Sequence, residues 1–209
     1  MKRRIHLNLF MYARGHHEAA WRHPKAPERS LMDIHHYVQC ARKAEAACFD
    51  SIFLADVLNL PPDADASARI WLEPLTTLSA IAMATNRIGL IGTASTTHTE
   101  PFNLARQFAS LDHISSGRAA WNIVTSFSAA GSRNFDSSGR LPHADRYARG
   151  DEFVEVVKKL WDSWGDDAVV DDRAAGTFYV KERVQPIDHD GAYYHIAGPL
   201  NLPRSPQGR

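Results

Sequence analysis

Two aromatic side chains, His143 and Tyr147, have the chemistry and the spacing to bind a phosphorylated ligand. They are four residues apart in a segment with helical periodicity, which puts them on one face of the helix. Both lie near the predicted start of that helix, where unpaired backbone N–H groups and the helix dipole favour a phosphate. An imidazole N–H and a phenol O–H donate to phosphate oxygens, while Arg146 and Arg149 add positive potential. The residues alone leave a second interpretation open, in which His143 is an exposed cap residue and Tyr147 a packing aromatic.

Three further candidate ligand residues, Asp56, Thr93 and Ser126, stand at the ends of predicted strands. In α/β folds, ligands bind beyond the carboxyl ends of the strands, so these side chains are expected at one binding rim. A carboxylate there accepts from ligand hydroxyls or N–H groups, and hydroxyls bond either way. Alternatives stay open for each: Asp56 could cap its loop or pair with Arg69, Thr93 could belong to a polar turn, and Ser126 could be an ordinary loop residue.

Four alternating strand–helix units position these candidates. This alternation predicts an α/β fold with parallel strands and right-handed crossovers. Polar residues gathered at the strand ends favour a (β/α)₈ TIM barrel. A doubly wound sheet is the competing architecture, but no Gly-x-Gly-x-x-Gly follows the first strand. The predicted strands span residues 5–10, 51–55, 87–93 and 119–126, and the predicted helices span residues 31–48, with Ser30 as the cap, 74–84, 101–115 and 143–164.

Residues 165–209 contain no fifth strand–helix unit, only an acidic turn, an irregular stretch and a hairpin-like segment over 190–196. We therefore predict a single domain over 1–209, with units one to four in 1–164 and an insertion with the lead-in to strand five in 165–209. A complete barrel takes about 250 residues. The chain is thus expected to be the N-terminal half of a longer barrel, with one edge of its fourth strand open.

Composition excludes several classes of function. The 24 basic and 24 acidic side chains give no net charge, which argues against nucleic-acid binding. No apolar run approaches the roughly 20 residues of a membrane span. Cys40 and Cys48 are too far apart along a helix to bridge, as expected in a reducing cytoplasm. The loop histidines His16, His17 and His23 lack metal-ligand spacing, so no metal site is predicted.

Six motifs, in family order along the whole chain, resemble those of the flavin-dependent monooxygenases of the bacterial luciferase-like superfamily. The resemblance is to the branch that contains nitrilotriacetate and dibenzothiophene-sulfone monooxygenases. The motifs are Ala20-Trp21-Arg22-His23-Pro24, Phe53-Leu54-Ala55-Asp56, Gly92-Thr93-Ala94-Ser95-Thr96-Thr97, Trp121-Asn122-Ile123-Val124-Thr125-Ser126, His143-Ala144-Asp145-Arg146-Tyr147, and Gly198-Pro199-Leu200-Asn201 with Pro206-Gln207-Gly208.

This resemblance implies a TIM barrel that uses reduced FMN, supplied by a separate NAD(P)H:flavin reductase, and O₂. A flavin C4a-(hydro)peroxide would then oxidise a small organic substrate, with cleavage of a C–N or C–S bond. The family's FMN positions carry over onto Asp56, Thr93, His143, Tyr147 and Ser126, and the full-length protein would form a homo-oligomer. A further FMN-binding serine follows strand five in the family, beyond this chain. No catalytic acid or base is identified, and an F420-dependent oxidoreductase or a non-catalytic barrel remnant are the alternatives.

Overall fold

A four-stranded parallel sheet forms the centre of the fold. The computed structural model describes residues 5–12, 14–26, 28, 31–60, 62, 64, 68–126, 128–135 and 142–208. The strands lie in sequence order, and each pairs in parallel with the next. They are β1 (Asn8–Phe10), β2 (Ser51–Leu54), β3 (Gly89–Ser95) and β4 (Ala119–Val124). This confirms the predicted α/β fold with a parallel sheet, although the four strands do not close into a barrel.

Five α-helices occur in the described part of the chain, and three of them are the crossovers between consecutive strands. They are α1 (Ile34–Ala46), α2 (Pro74–Ala82), α3 (Pro101–Ser115), the short α4 (Ala129–Ser132) and α5 (His143–Trp161). The long helix predicted after β4 is α5. It begins at His143 as expected and ends three residues earlier than predicted. A 3₁₀ turn over Ala20–Arg22 lies in the loop between β1 and α1.

The start of α1 differs from the prediction. Asp33 is the N-cap, and its carboxylate accepts from the backbone N–H of His35 at 3.0 Å. Ser30, the predicted cap, lies outside the described residues, but the helix begins three residues later than a Ser30 cap would require. The start of α2 is as expected: Pro74 is in its first turn, and the Glu73 side chain accepts from the N–H groups of Leu75 and Thr76.

Two hydrophobic clusters hold the helices against the sheet. The first joins α1 and α2 to β2 and β3 through side chains such as Tyr37, Ile52 and Leu78. The second joins α3 to α5 and includes Phe108 and Phe153, with Trp121 of β4 packed against it. The strand β4 is the last of the sheet, and its residue Ile123 is 48% exposed.

The segment after α5 folds as two small antiparallel hairpins. The first pairs β5 (Val169–Asp172) with β6 (Thr177–Tyr179), so part of the stretch expected to be irregular is a strand. The second pairs β7 (His189–Asp190) with β8 (His195–Ile196), as the hairpin-like pattern predicts. Among the described residues, the helices are too short or too polar to cross a lipid bilayer.

Candidate functional site

A cavity of about 920 Å³ opens at the carboxyl ends of the parallel strands. Its volume lies in the range of small-molecule and cofactor sites. It is built from four parts of the chain: the loop after β2, the turn after β3, the end of β4 with the loop that follows, and one face of α5. The lining residues are Asp56, Val57, Leu58, Asn59, His98, Ile123, Val124, Thr125, Ser126, Ser128, Gly131, Tyr147, Gly150, Asp151, Val154, Glu155 and Lys158.

Of the five predicted ligand residues, Asp56, Ser126 and Tyr147 line this cavity. His143 does not, but its ring lies 4.6 Å from that of Tyr147, at the exposed start of α5. Thr93 is buried within β3, and its Oγ1 accepts from the Asn122 amide at 3.0 Å. The fold therefore brings four of the five together at the cavity or its edge, and Thr93 does not line the cavity.

Asp56 occupies the loop just after β2. Burial raises the pKa of its carboxyl above the ordinary aspartate value, and the nearby Glu73 carboxylate adds to the rise. The Val57 N–H and the Trp71 side chain act in the opposite direction. Arg69, the alternative partner, instead pairs with Glu18. Asp56 thus holds its proton to a higher pH than an exposed aspartate does.

The end of β4 is held against the end of β3 by hydrogen bonds from both side chain and backbone. The Ser126 hydroxyl donates to Ser95 Oγ at 2.8 Å, and the N–H of Thr96 donates to the carbonyl of Val124 at 2.9 Å. Gly150 of α5 lies close over this turn: a Cβ there would be 3.1 Å from Thr125 Cγ2. The absence of a side chain at 150 therefore lets α5 approach the strand ends.

The start of α5 offers hydrogen-bond donors to a ligand. Pro142 occupies the N-cap position and supplies no side-chain cap, so the N–H groups of the first turn keep their donor capacity. Arg146 is only 7% exposed, and its Nε has no hydrogen-bond partner among the described residues. Arg149, by contrast, serves the fold: it donates to the carbonyl of Thr97 at 3.0 Å and lies over the Tyr194 ring.

His98 is a cavity residue that the sequence prediction did not select. Its ring stacks on Phe135 at 4.6 Å and 13°, and its Nε2 lies 3.5 Å from the Ser132 hydroxyl. Burial lowers the pKa of His98, and the positive charge of Arg149 lowers it further, so the ring is neutral at physiological pH. One sequence signal could have identified His98, because it lies in the polar run directly after β3. That run also contains several hydroxyl side chains, so the sequence does not single out the histidine.

Comparison with known proteins identifies the family. A family model described as luciferase-like monooxygenase matches residues 10–209. The chain belongs to this family. N-acetyl-S-(2-succino)cysteine monooxygenase from Bacillus subtilis (strain 168) is 46% identical over 208 residues, which are 100% of this chain and 47% of that protein. Nitrilotriacetate monooxygenase component A from Aminobacter aminovorans is 43% identical over 218 residues, which cover 99% of this chain and 48% of that protein.

A solved structure places this luciferase-like chain in the same fold. The crystal structure of a riboflavin lyase with modified FMN and riboflavin matches with a TM-score of 0.90 at 32% identity. The match covers 99% of this chain and 48% of that one. The chain thus spans about half the length of the proteins it matches. The family assignment made from the motifs is confirmed, including the nitrilotriacetate branch.

Proposed function

We propose that this chain forms the FMN-binding part of a two-component monooxygenase, which takes reduced FMN from a separate NAD(P)H:flavin reductase and oxidises a small organic substrate with O₂. The observation that carries the proposal is the cavity at the strand ends, where Asp56, Ser126 and Tyr147 converge beside His143. The names of the relatives support it, since one is a monooxygenase component and another was crystallised with modified FMN.

The residues present fit FMN by their chemistry. The uncapped first turn of α5, with the His143 ring and the Tyr147 hydroxyl, supplies donors for a phosphate. Asp56 and Ser126 supply groups that bond to hydroxyls or ring N–H groups at the strand ends. Thr93 would act only indirectly, because it is buried in β3, where it accepts from the Asn122 amide of β4.

The flavin, when bound, supplies the redox chemistry that activates O₂. The protein residues bind and orient it and exclude water. Val57, Leu58, Ile123 and Val154 give one part of the cavity an apolar lining suited to that exclusion. The His98 ring also lines the cavity and is held in place by its stack on Phe135.

An anaerobic titration with reduced FMN tests the proposal. Tyr147→Phe and His143→Ala should each weaken binding about tenfold, because each removes one donor to a charged group. Tyr193→Phe is the matched control, since Tyr193 lies on the β7–β8 hairpin away from the cavity lining. Unchanged affinity in both cavity variants would contradict the assignment of the phosphate to the start of α5.

A further inference from the structure

Arg146, near the start of α5, is a buried arginine without a charge partner in the described part of the chain. Only 7% of its surface is exposed, its Nε is enclosed and makes no hydrogen bond, and no ion pair to it occurs among the described residues. The acidic residue in the first turn of α5, Asp145, is exposed and does not pair with it. A guanidinium stays charged at physiological pH, and a buried charge without a counter-charge is costly. The described residues therefore do not neutralise this buried positive charge.

Arg149, three residues later on the same helix, has the contacts of a structural arginine. It donates to the carbonyl of Thr97 at 3.0 Å and lies 5.3 Å from the centroid of the Tyr194 ring. It thus joins α5 to the turn after β3 and to the β7–β8 hairpin. Arg146 has a hydrogen bond only through its backbone N–H, which donates to the carbonyl of Pro142 at 3.0 Å. The contacts that hold α5 among the described residues therefore do not use the charge of Arg146.

Arg146 lies beyond the carboxyl ends of β3 and β4. It belongs to the buried stripe of α5 that continues with Gly150 and Phe153. Gly150 is level with the strand ends, since a Cβ there would lie 3.2 Å from Thr96 Oγ1 and 3.1 Å from Thr125 Cγ2. Arg146 is one turn closer to the start of the helix, and helical side chains lean toward the N-terminus. The guanidinium is therefore directed to the region beyond the strand ends, where α/β folds bind their ligands.

The start of α5 adds further donors at the same place. Because the N–H of Arg146 makes the first bond of the helical ladder, the N–H groups of residues 143–145 lie ahead of that ladder. The rings of His143 and Tyr147 are 4.6 Å apart at this end of the helix. A phosphate here would accept from the backbone N–H groups and from the planar guanidinium, which matches two of its oxygens. The backbone groups and the phenol donate without a formal charge, whereas Arg146 supplies one.

We propose that Arg146 makes this site selective for the phosphorylated flavin, FMN, over riboflavin, because its guanidinium pairs with the phosphate. The inference rests on the proposed function and names a specificity-determining residue for it. A phosphate monoester carries a charge of about −1.5 to −2 at pH 7, and a helix N-terminus offsets only about half a charge. Riboflavin has a neutral hydroxyl in place of the phosphate and gains nothing from a guanidinium charge. The two flavins thus differ in the group that Arg146 recognises.

Anaerobic titrations of the 209-residue chain with reduced FMN and with reduced riboflavin test this proposal. In Arg146→Met, the Kd for reduced FMN should rise about tenfold or more, while the Kd for reduced riboflavin should stay within about twofold. Arg146→Lys keeps a charge without the planar fork, so a smaller rise of the Kd for FMN is expected. Arg106→Met is the control: Arg106 is exposed on α3, outside the cavity lining, and its replacement should change neither Kd.

Urea unfolding of the unliganded variants separates a binding role of Arg146 from a structural one. Because the charge of Arg146 has no partner among the described residues, Arg146→Met should unfold at the same urea concentration as the unaltered chain or at a higher one. A lower unfolding midpoint, together with equal weakening of both flavins, would show that Arg146 serves the fold and would overturn the proposal. If Arg146→Met does not fold, Arg146→Lys decides, since an unchanged ratio of the two Kd values in that variant contradicts the proposal equally.

The failure of this inference is distinct from the failure of the proposed function. If Tyr147→Phe and His143→Ala weaken the binding of reduced FMN but Arg146→Met leaves the ratio of the two Kd values unchanged, the flavin site stands and the role of Arg146 is wrong. If the unaltered chain binds riboflavin as tightly as FMN, the phosphate is not recognised and the inference fails although the chain binds flavin. If it binds neither flavin, the proposed function fails and the inference fails with it.

Discussion

The backbone N–H of Tyr194 donates to the Glu152 carboxylate at 2.8 Å, across 42 positions of sequence. The N–H of Tyr193 donates to the same carboxylate at 3.1 Å, and Nε2 of His189 lies 3.2 Å from it. This one side chain therefore attaches the β7–β8 hairpin to α5. Because α5 also holds His143 and Tyr147, the hairpin stabilises the helix that faces the candidate cofactor site.

Replacement of Glu152 should detach the hairpin. Glu152→Ala leaves two N–H groups without their acceptor, and we expect the free energy of unfolding to fall by about 2–4 kcal/mol. The amide of Tyr194 should lose its protection against hydrogen exchange more than amides in β3 do. Glu155→Ala is the control: its pair with Lys159 on the same helix is exposed, so its loss should leave the free energy of unfolding nearly unchanged. Equal losses in the two variants would contradict this role.

Gly150 should tolerate no branched side chain. A Cβ at this position would lie 3.1 Å from Thr125 Cγ2 and 3.2 Å from Thr96 Oγ1. Gly150→Val should therefore push α5 away from the strand ends and destabilise the fold by about 1–3 kcal/mol, as measured by urea unfolding. Ala148→Val introduces the same side chain on the exposed face of the helix and should cost about 0.5 kcal/mol. A Gly150→Val variant no less stable than Ala148→Val would show that the contact is not tight.

Local signals allowed some element ends to be predicted and not others. The prediction of α3 over residues 101–115 is confirmed at both ends. Pro101 suits a first turn, and Ser116 and Gly117 take the left-handed conformation that ends a helix, with φ of 57° and 84°. The α1 start was wrong because both Ser30 and Asp33 can cap a helix. In the structure Asp33 is the residue whose carboxylate caps the first turn.

The residues of the candidate site were likewise predicted only in part. Its strand ends could be located from the sequence, which is why Asp56 and Ser126 lie in the cavity. The sequence does not say which side chain of a polar run faces it, so Thr93 was selected and His98 was not. That difference depends on packing, since Thr93 is enclosed beside Asn122 while the turn after β3 exposes His98.

Arg118 is expected to be a major stabilising residue of the sheet edge. Its guanidinium donates to the carbonyls of Ala82, Thr85 and Ile88 at 2.9 to 3.1 Å, and Nε donates to the carbonyl of Ser115 at 2.7 Å. It thus joins the end of α2 to β3 and α3. Arg118→Met should reduce the free energy of unfolding by about 2–4 kcal/mol, because these acceptors lose their donors.

Two further variants make the Arg118 result interpretable. Arg118→Lys keeps the charge but cannot reach all of these acceptors, so an intermediate loss of stability is expected. Arg106→Met changes an exposed arginine on α3 and should alter stability by no more than about 0.5 kcal/mol. If Arg118→Met were as stable as Arg106→Met in urea unfolding, the network would contribute nothing to the fold.

The raised pKa of Asp56 makes stability depend on pH in a specific direction. In the folded chain, burial and then the charge of Glu73 favour the protonated carboxyl, whereas the unfolded chain has the ordinary aspartate pKa. Between these two values the folded state binds more protons, so stability falls as pH rises. Asp56→Asn removes the titration. Its advantage over the unaltered chain should grow from about pH 4 upward and level off above the raised pKa. Urea unfolding at a series of pH values measures this difference, and an advantage that stays constant or shrinks as pH rises would show that burial does not disfavour the Asp56 charge.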